Sequence, residues 1–261
     1  MMVVIPPTVP PLPRERSHDR NLRPGDAFGW LGAGWRDLWA NPGPSLAYGL
    51  FVFLLSLAIT LGLVLLQWDY ILFPALAGFM VVGPFLALGL YDKSRRLARD
   101  EPVSLAGMIT PQIASGGQIL FTGALLCLLM MLWMRAAVLL YALFFGVRPF
   151  PGLDHIAQML FTTPVGGAML IVGSLIGGLF AAFSFAISAF SIPMMLDRQI
   201  DALTAMGTSW MMVWHNLPVM LAWGAIVLAL FLFSLATGLV GLVLVFPLLG
   251  HATWHAYEAV R

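Results

Sequence analysis

Charge is what this sequence has least of. Only 10% of its 261 residues are Asp, Glu, Lys or Arg, while 60% are hydrophobic. A soluble domain carries roughly 25% charged residues. Too few charges remain to cover a water-facing globule, so lipid is the solvent this composition implies. A single cysteine, Cys127, excludes an intrachain disulfide and any Cys-rich metal or iron–sulfur site. The net charge of +1 supplies no bulk attraction for nucleic acid, and no nucleic-acid partner is expected. A phosphate-binding loop, a G-x-S-x-G nucleophile elbow and an H-E-x-x-H pair are all missing. The apolar runs carry no paired carboxylates, so an intramembrane acid–base enzyme or proton-coupled pump has little to work with. The expectation is a protein that is not an enzyme and needs no cofactor.

What is present is a stretch that occurs twice. Phe28, Leu31, Trp35, Leu38 and Trp39, followed by Asn41, correspond at an offset of 175 to Leu203, Met206, Trp210, Val213 and Trp214, followed by Asn216. The same offset carries Tyr48-Gly49 onto Trp223-Gly224. Apolar positions at this spacing share one face of a helix. Each copy reads as an amphipathic helix on a membrane face, with Trp35, Trp39, Trp210 and Trp214 as interfacial anchors. Val103–Met108 is a degenerate third counterpart, with Gln112 where the tryptophan would fall.

The spacing of apolar runs predicts an all-α membrane protein with six transmembrane helices in three hairpins and an internal parallel-topology repeat. Residues 1–25 form a disordered, Pro-rich and basic cytoplasmic tail. Unit one, 26–99, has an interfacial helix at 26–40 and spans at 44–67 and 71–91. The middle unit, 100–198, has spans at 119–146 and 165–196, with a short interfacial helix near 156–163. Unit three, 199–261, has an interfacial helix at 201–215 and spans at 218–237 and 238–256. The second arm of each hairpin carries a late proline: Pro84, Pro193 and Pro247. Proline in a spanning helix frees a carbonyl and favours a bend. The 119–146 run is about 42 Å long as a helix, more than the roughly 30 Å of a bilayer core requires, so it must tilt, kink or project.

Orientation follows from Lys and Arg. With six spans, one side holds Arg14, Arg16, Arg20, Arg23, Arg36, Lys93, Arg95, Arg96, Arg99, Arg198 and Arg261, and the other holds Arg148. That asymmetry puts both termini in the cytoplasm.

Three segments carry a family resemblance: Gly34-Trp-Arg-Asp37 with Gly83-Pro-Phe-Leu-Ala-Leu-Gly-Leu-Tyr91-Asp-Lys-Ser-Arg-Arg96, then Phe190-Ser-Ile-Pro-Met-Met-Leu-Asp-Arg198, then Pro247-Leu-Leu-Gly-His-Ala-Thr-Trp-His-Ala-Tyr257. Over roughly residues 25–258 the chain resembles a family of bacterial, mostly proteobacterial, integral membrane proteins of unknown function. Some members are labelled cytochrome c oxidase subunit-like. A haem–copper oxidase core needs more spans, and more histidines on facing helices, than this chain offers. The resemblance implies a fold and a bacterial inner-membrane location, and no activity.

Few constellations could carry chemistry. His251 and His255, four apart, share a helix face and could present two imidazoles to a metal, with Glu258 nearby. The plainer alternative makes them interfacial polar groups packed against Trp254 and Tyr257. Arg135 is the one charge inside an apolar run. Such a charge costs about 2.5–3.5 kcal/mol on insertion scales, so it snorkels, pairs or lines a cavity. Lys93, Arg95, Arg96 and Arg99 read as a basic cytoplasmic patch that sets topology and could meet lipid headgroups or a partner. The first functional expectation is a non-catalytic accessory or assembly factor acting through membrane-protein partners or a second copy of the chain, within the lipid bilayer. The alternatives are a small-molecule or lipid transporter built around Arg135, and a metal- or haem-binding redox protein using His251 and His255.

Overall fold

The computed structural model describes residues 20–146 and 152–261. Most of the expected tail, residues 1–19, and Arg148 lie outside the described residues. Twelve α-helices and one 3-10 turn, with no strand, make up the described residues. Five continuous stretches are long and apolar enough to cross a membrane: Pro42–Leu65, Pro74–Leu97, Gly116–Phe145, Pro164–Asp197 and Leu217–Ala236. Large apolar side chains line their outer surfaces, among them Phe51, Leu65, Leu120, Leu143, Leu179 and Leu221. In water such a surface would drive aggregation; in lipid it is the ordinary boundary.

α1 (Asp26–Ala40) ends where Asn41 leaves helical geometry and Pro42 starts α2 (Pro42–Leu65). A proline at the first helical position loses no hydrogen bond. α1 buries Ala27, Trp30, Gly34 and Leu38. The neighbouring stripe, with Phe28, Trp35 and Trp39, stays exposed. α10 (Ala202–His215) repeats this arrangement. It buries Ala202, Ala205, Ser209, Met212 and Val213 and exposes Leu203, Trp210 and Trp214. Four of its buried positions stand at the same 175-residue offset from those of α1. The apolar stripe counted in the sequence is thus mostly the outward face, and a stripe of smaller residues beside it packs on protein.

α3 (Leu72–Leu86) breaks at Ala87 before α4 (Leu88–Leu97), three residues beyond Pro84. α8 (Pro164–Ser188) breaks at Ala189-Phe190 before α9 (Ser191–Asp197), just ahead of Pro193. α12 (Leu242–Val260) runs unbroken through Pro247. Proline removes one rung of the helical ladder, which a packed helix tolerates with or without a break. The expected sixth span, 238–256, corresponds to this 19-residue helix. It is not among the five sufficiently apolar stretches, because its second half carries His251, His255 and Glu258. α6 (Gly116–Phe145) covers the long third run, and α7 (Leu153–Thr162) is the short helix after it.

Packing concentrates at one end of the bundle. α1 lies along α12, α10 along α8 and α9, and the short α5 (Leu105–Ile109) on α4. Each of these shorter helices therefore rests on a different proline-bearing arm. Two glycines make close approaches to α12 possible. A Cβ on Gly34 would lie 2.5 Å from the backbone nitrogen of Ala252, and one on Gly49 would lie 2.2 Å from the carbonyl of Val243. Small residues let spanning helices meet backbone to backbone. The described ends of the chain meet at this end too: Arg20 Nε donates to the carbonyl of Val260 at 3.2 Å, and the Arg20 amide to Asn216 Oδ1 at 3.1 Å.

Candidate functional site

A group of interior polar residues, with a charged Lys93 among them, gathers where α1, α2, α4 and α12 converge. α4 turns Lys93 and Ser94 inward, and α12 supplies His251; all three are buried, as is Ser45 on α2. Lys93 Nζ donates to the carbonyl of Asn41 at 2.6 Å and to Ser45 Oγ at 2.7 Å. Ser45 Oγ lies 2.9 Å from His251 Nε2, and Ser94 Oγ lies 2.8 Å from His251 Nδ1. The Ser94 hydroxyl lies near the Asp37 carboxylate of α1 and favours its charged form. His255 Nε2 meets the same carboxylate at 2.8 Å.

The ends of this chain of bonds fix its direction. An ammonium can only donate and a carboxylate can only accept. Ser45, receiving a proton from Lys93, has its own O–H free for His251 Nε2. The imidazole then carries its proton on Nδ1 and donates to Ser94, whose O–H goes to Asp37. A neutral His251 fits this sequence with every group satisfied, which a buried network requires to be stabilising. Burial alone would push the Asp37 carboxyl up. The hydrogen bonds from His255 and Ser94 outweigh it and hold the carboxyl below its ordinary 3.8.

A second cluster ties the arms to one another. Asp92, fully buried, accepts from Arg95 and from Arg96 Nε, the latter at 2.7 Å. Arg95 also donates to the carbonyls of Leu196 and Gln112, each at 2.6 Å. Arg95 thereby connects α4 to the end of α9, where helix carbonyls have no partner within the helix. Asp197 accepts from Arg261 Nη1 at 2.7 Å, and Arg198 Nη2 donates to Tyr257 Oη at 3.0 Å. α9 is thus bonded to the end of α12.

These placements revise several readings of the sequence. Lys93 and Arg95 do not form an exposed basic patch: Lys93 is 0% exposed and Arg95 8%. Only Arg99 of that set is strongly exposed, its side chain at 52%. His251 and His255 share a helix face but take separate partners. No group of three or more His, Cys, Asp or Glu stands together as a metal site needs among the described residues. Glu258 pairs with Arg261 Nη2 at 2.8 Å instead of joining the histidines. Trp35, Trp39, Trp210 and Trp214 all keep exposed faces. Their rings pair within each helix, edge to face at 5.6 Å for Trp35–Trp39 and stacked at 6.3 Å for Trp210–Trp214. Arg135 lies exposed on α6, about 29 Å along the axis from Gly116, with no hydrogen-bond or ion-pair partner among the described residues. A cavity of about 200 Å³ opens between α3, α8, α11 and α12, and Arg135 is not among its lining residues. Asp37, Ser45, Ser94 and Asp92 are the residues that sequence reasoning missed.

Residues 72–197 match a family described as predicted integral membrane protein (DUF2189). The chain is an integral membrane protein with several spanning helices. The DUF2189 match runs from the start of α3 to the end of α9, a little under half of the chain. It includes Lys93, Ser94 and the Asp92–Arg95 tie to Leu196, while Asp37, Ser45, His251 and His255 lie outside it. No curated protein and no solved structure matches the chain.

Proposed function

We propose that the protein is a non-catalytic accessory or assembly factor of a bacterial inner membrane, working through membrane-protein partners. The observation that carries this reading is how the interior polar groups are spent. Lys93, His251, Asp37 and Arg95 each bond one helix to another, and Asp92 holds Arg95 from within α4. Groups engaged in this way brace a scaffold; a catalyst or carrier needs some of them turned toward a substrate.

In this proposal α12 is a sixth span, completing three hairpins. Asn216 at the start of α11 and Val260 at the end of α12 both touch Arg20, which supports two antiparallel crossings between them. The matched burial of α1 and α10 supports an internal repeat. The basic residues near the bonded ends support cytoplasmic termini. Arg135 then sits at the outer headgroups, where its guanidinium reaches lipid phosphate. A transporter built around Arg135 has less support, since the cavity does not reach it.

Crosslinking in native membranes followed by gentle solubilisation tests the role. The expected result is one or a few membrane proteins recovered in fixed ratio with this chain. Recovery as a bare monomer, with no crosslinked species, overturns it. Reporter fusions after residue 67, residue 147 and residue 239 should all report the periplasm, and a fusion at the C-terminus the cytoplasm.

A further inference from the structure

The cavity between α3, α8, α11 and α12 has a composition of its own. Its walls are apolar, with Phe79, Val81, Trp223, Phe231, Phe246 and Leu249 among them. No charged side chain lines it. Two hydroxyl-bearing residues do so without a side-chain hydrogen bond. Tyr91 on α4 and Ser188 at the end of α8 are each 98% buried, and neither hydroxyl has a hydrogen-bond partner among the described residues. The other hydroxyls of the lining are satisfied within their own helices: Ser184 donates to the carbonyl of Phe180, and Thr253 to that of Leu249. Neither oxygen is sealed off, Trp133 Nε1 being the one fully buried side-chain polar atom without a partner among the described residues, so each hydroxyl takes its partner from whatever occupies the cavity. Two of them on one apolar cavity point to a molecule that supplies the missing acceptor.

The position of the pair has a local cause. Tyr91 stands just beyond the break at Ala87, and Ser188 just before the break at Ala189-Phe190. Both residues, and the break residues Ala87 and Ala189, line the cavity. The cavity therefore lies beside the helix breaks of two proline-bearing arms, between them and α11 and α12.

We infer that this cavity binds a neutral, chain-like apolar molecule bearing a carbonyl oxygen, which accepts hydrogen bonds from Tyr91 and Ser188. The lack of charge on the walls selects against free carboxylates and phosphates, whose desolvation nothing there offsets. About 200 Å³ takes a chain segment and not a whole lipid, so the rest of the molecule lies along the lipid-facing surface. Acyl esters and quinones share the required chemistry. Binding of such a molecule does not depend on the accessory role proposed above.

Photolabelling of the full-length protein in vesicles provides the test. Two probes of equal length are used, a diazirine-bearing fatty-acyl methyl ester and the matching diazirine alkane, and sites are mapped by peptide mass spectrometry. The ester should label residues of 79–91, 181–189, 223–231 or 242–253. Competition separates the sources: suppression by phospholipid points to an acyl ester of the bilayer, and suppression by a quinone to a free quinone. The double substitution Tyr91→Phe with Ser188→Ala should cut ester labelling about tenfold, the loss of two modest hydrogen bonds, and leave alkane labelling unchanged. Ala181→Phe, which fills the cavity from α8, should suppress both probes. Equal labelling of the double variant by the ester overturns the inference, and so does labelling confined to the outer face of α6. A cavity holding only water gives no site-selective labelling in either arm and overturns it equally.

Discussion

Asp37 and His255 stand 218 positions apart, and their side chains meet at 2.8 Å. The contact joins α1 to α12, and through Ser94 it joins both to α4. Because burial alone would raise the Asp37 carboxyl, its net depression reports how strongly His255 and Ser94 favour the charged form. A carboxyl depressed in the folded state stabilises above its unfolded value and loses that contribution as pH falls. The window lies below about pH 4. Thermal unfolding in detergent, followed by intrinsic fluorescence, should show an acid limb beginning there. Asp37→Asn should lower the midpoint at pH 7 and flatten that limb. The loss is about 1–3 kcal/mol, as for a partly buried charge-assisted hydrogen bond.

Lys93 reaches two partners, the carbonyl of Asn41 and the hydroxyl of Ser45. Lys93→Met keeps the bulk and removes the donor. It leaves Asn41 without its proton donor and releases Ser45 from its fixed role toward His251. The expected destabilisation is about 2–4 kcal/mol. Arg99→Ala, at an exposed pair with Asp197, should stay within about 0.5 kcal/mol. Chemical denaturation of the two variants side by side checks the contrast.

The crossing of α1 over α12 permits no side chain at Gly34. Gly34→Ala should displace α1 and cost several times what a typical surface change costs, about 2 kcal/mol or more. Gly29, on the same helix, has nothing within 4 Å of its would-be Cβ. Gly29→Ala should be neutral or slightly stabilising, since alanine favours the helix. Similar midpoints for both variants would contradict the packing described.

Four of the five exposed tryptophans lie on α1 and α10, the fifth, Trp68, lies in the turn after α2, and Trp30, Trp223 and Trp254 are buried. Lipids brominated near the headgroup should therefore quench the outer set more strongly than lipids brominated at the chain terminus. Changing Trp35, Trp39, Trp210 and Trp214 together to Phe should remove most of that depth dependence. Unchanged quenching would mean that the outward faces of α1 and α10 do not touch the interface.

The sequence made the helices readable because their signals are local. Asn41-Pro42 marks the boundary of α1 and α2, and the paired tryptophans mark α1 and α10. It left the interior network hidden because nothing local distinguishes it. Ser45 and Ser94 look like any serine in an apolar helix, and their shared partner His251 comes 206 and 157 residues later. Lys93 and Arg95 read as a stop signal because positive charge at the end of a span usually faces water. Here α2, α12 and α9 close over them, and no periodicity within α4 records that. Asp92 was overlooked for the same reason: its partners Arg95 and Arg96 lie on its own helix, but its burial comes from the others.

The seat of α1 on α12 has a consequence for biogenesis. A ribosome delivers α1 first and α12 last. Until the final helix is inserted, Gly34 lacks the Ala252 backbone it packs on, and α1 has only its smaller contacts with α2, α4 and α11, Trp30 against Trp223 among them. The nascent chain must therefore keep its first helix parked on the bilayer while the intervening spans thread through, and a truncation before residue 242 strands it there, exposed to quality-control proteases.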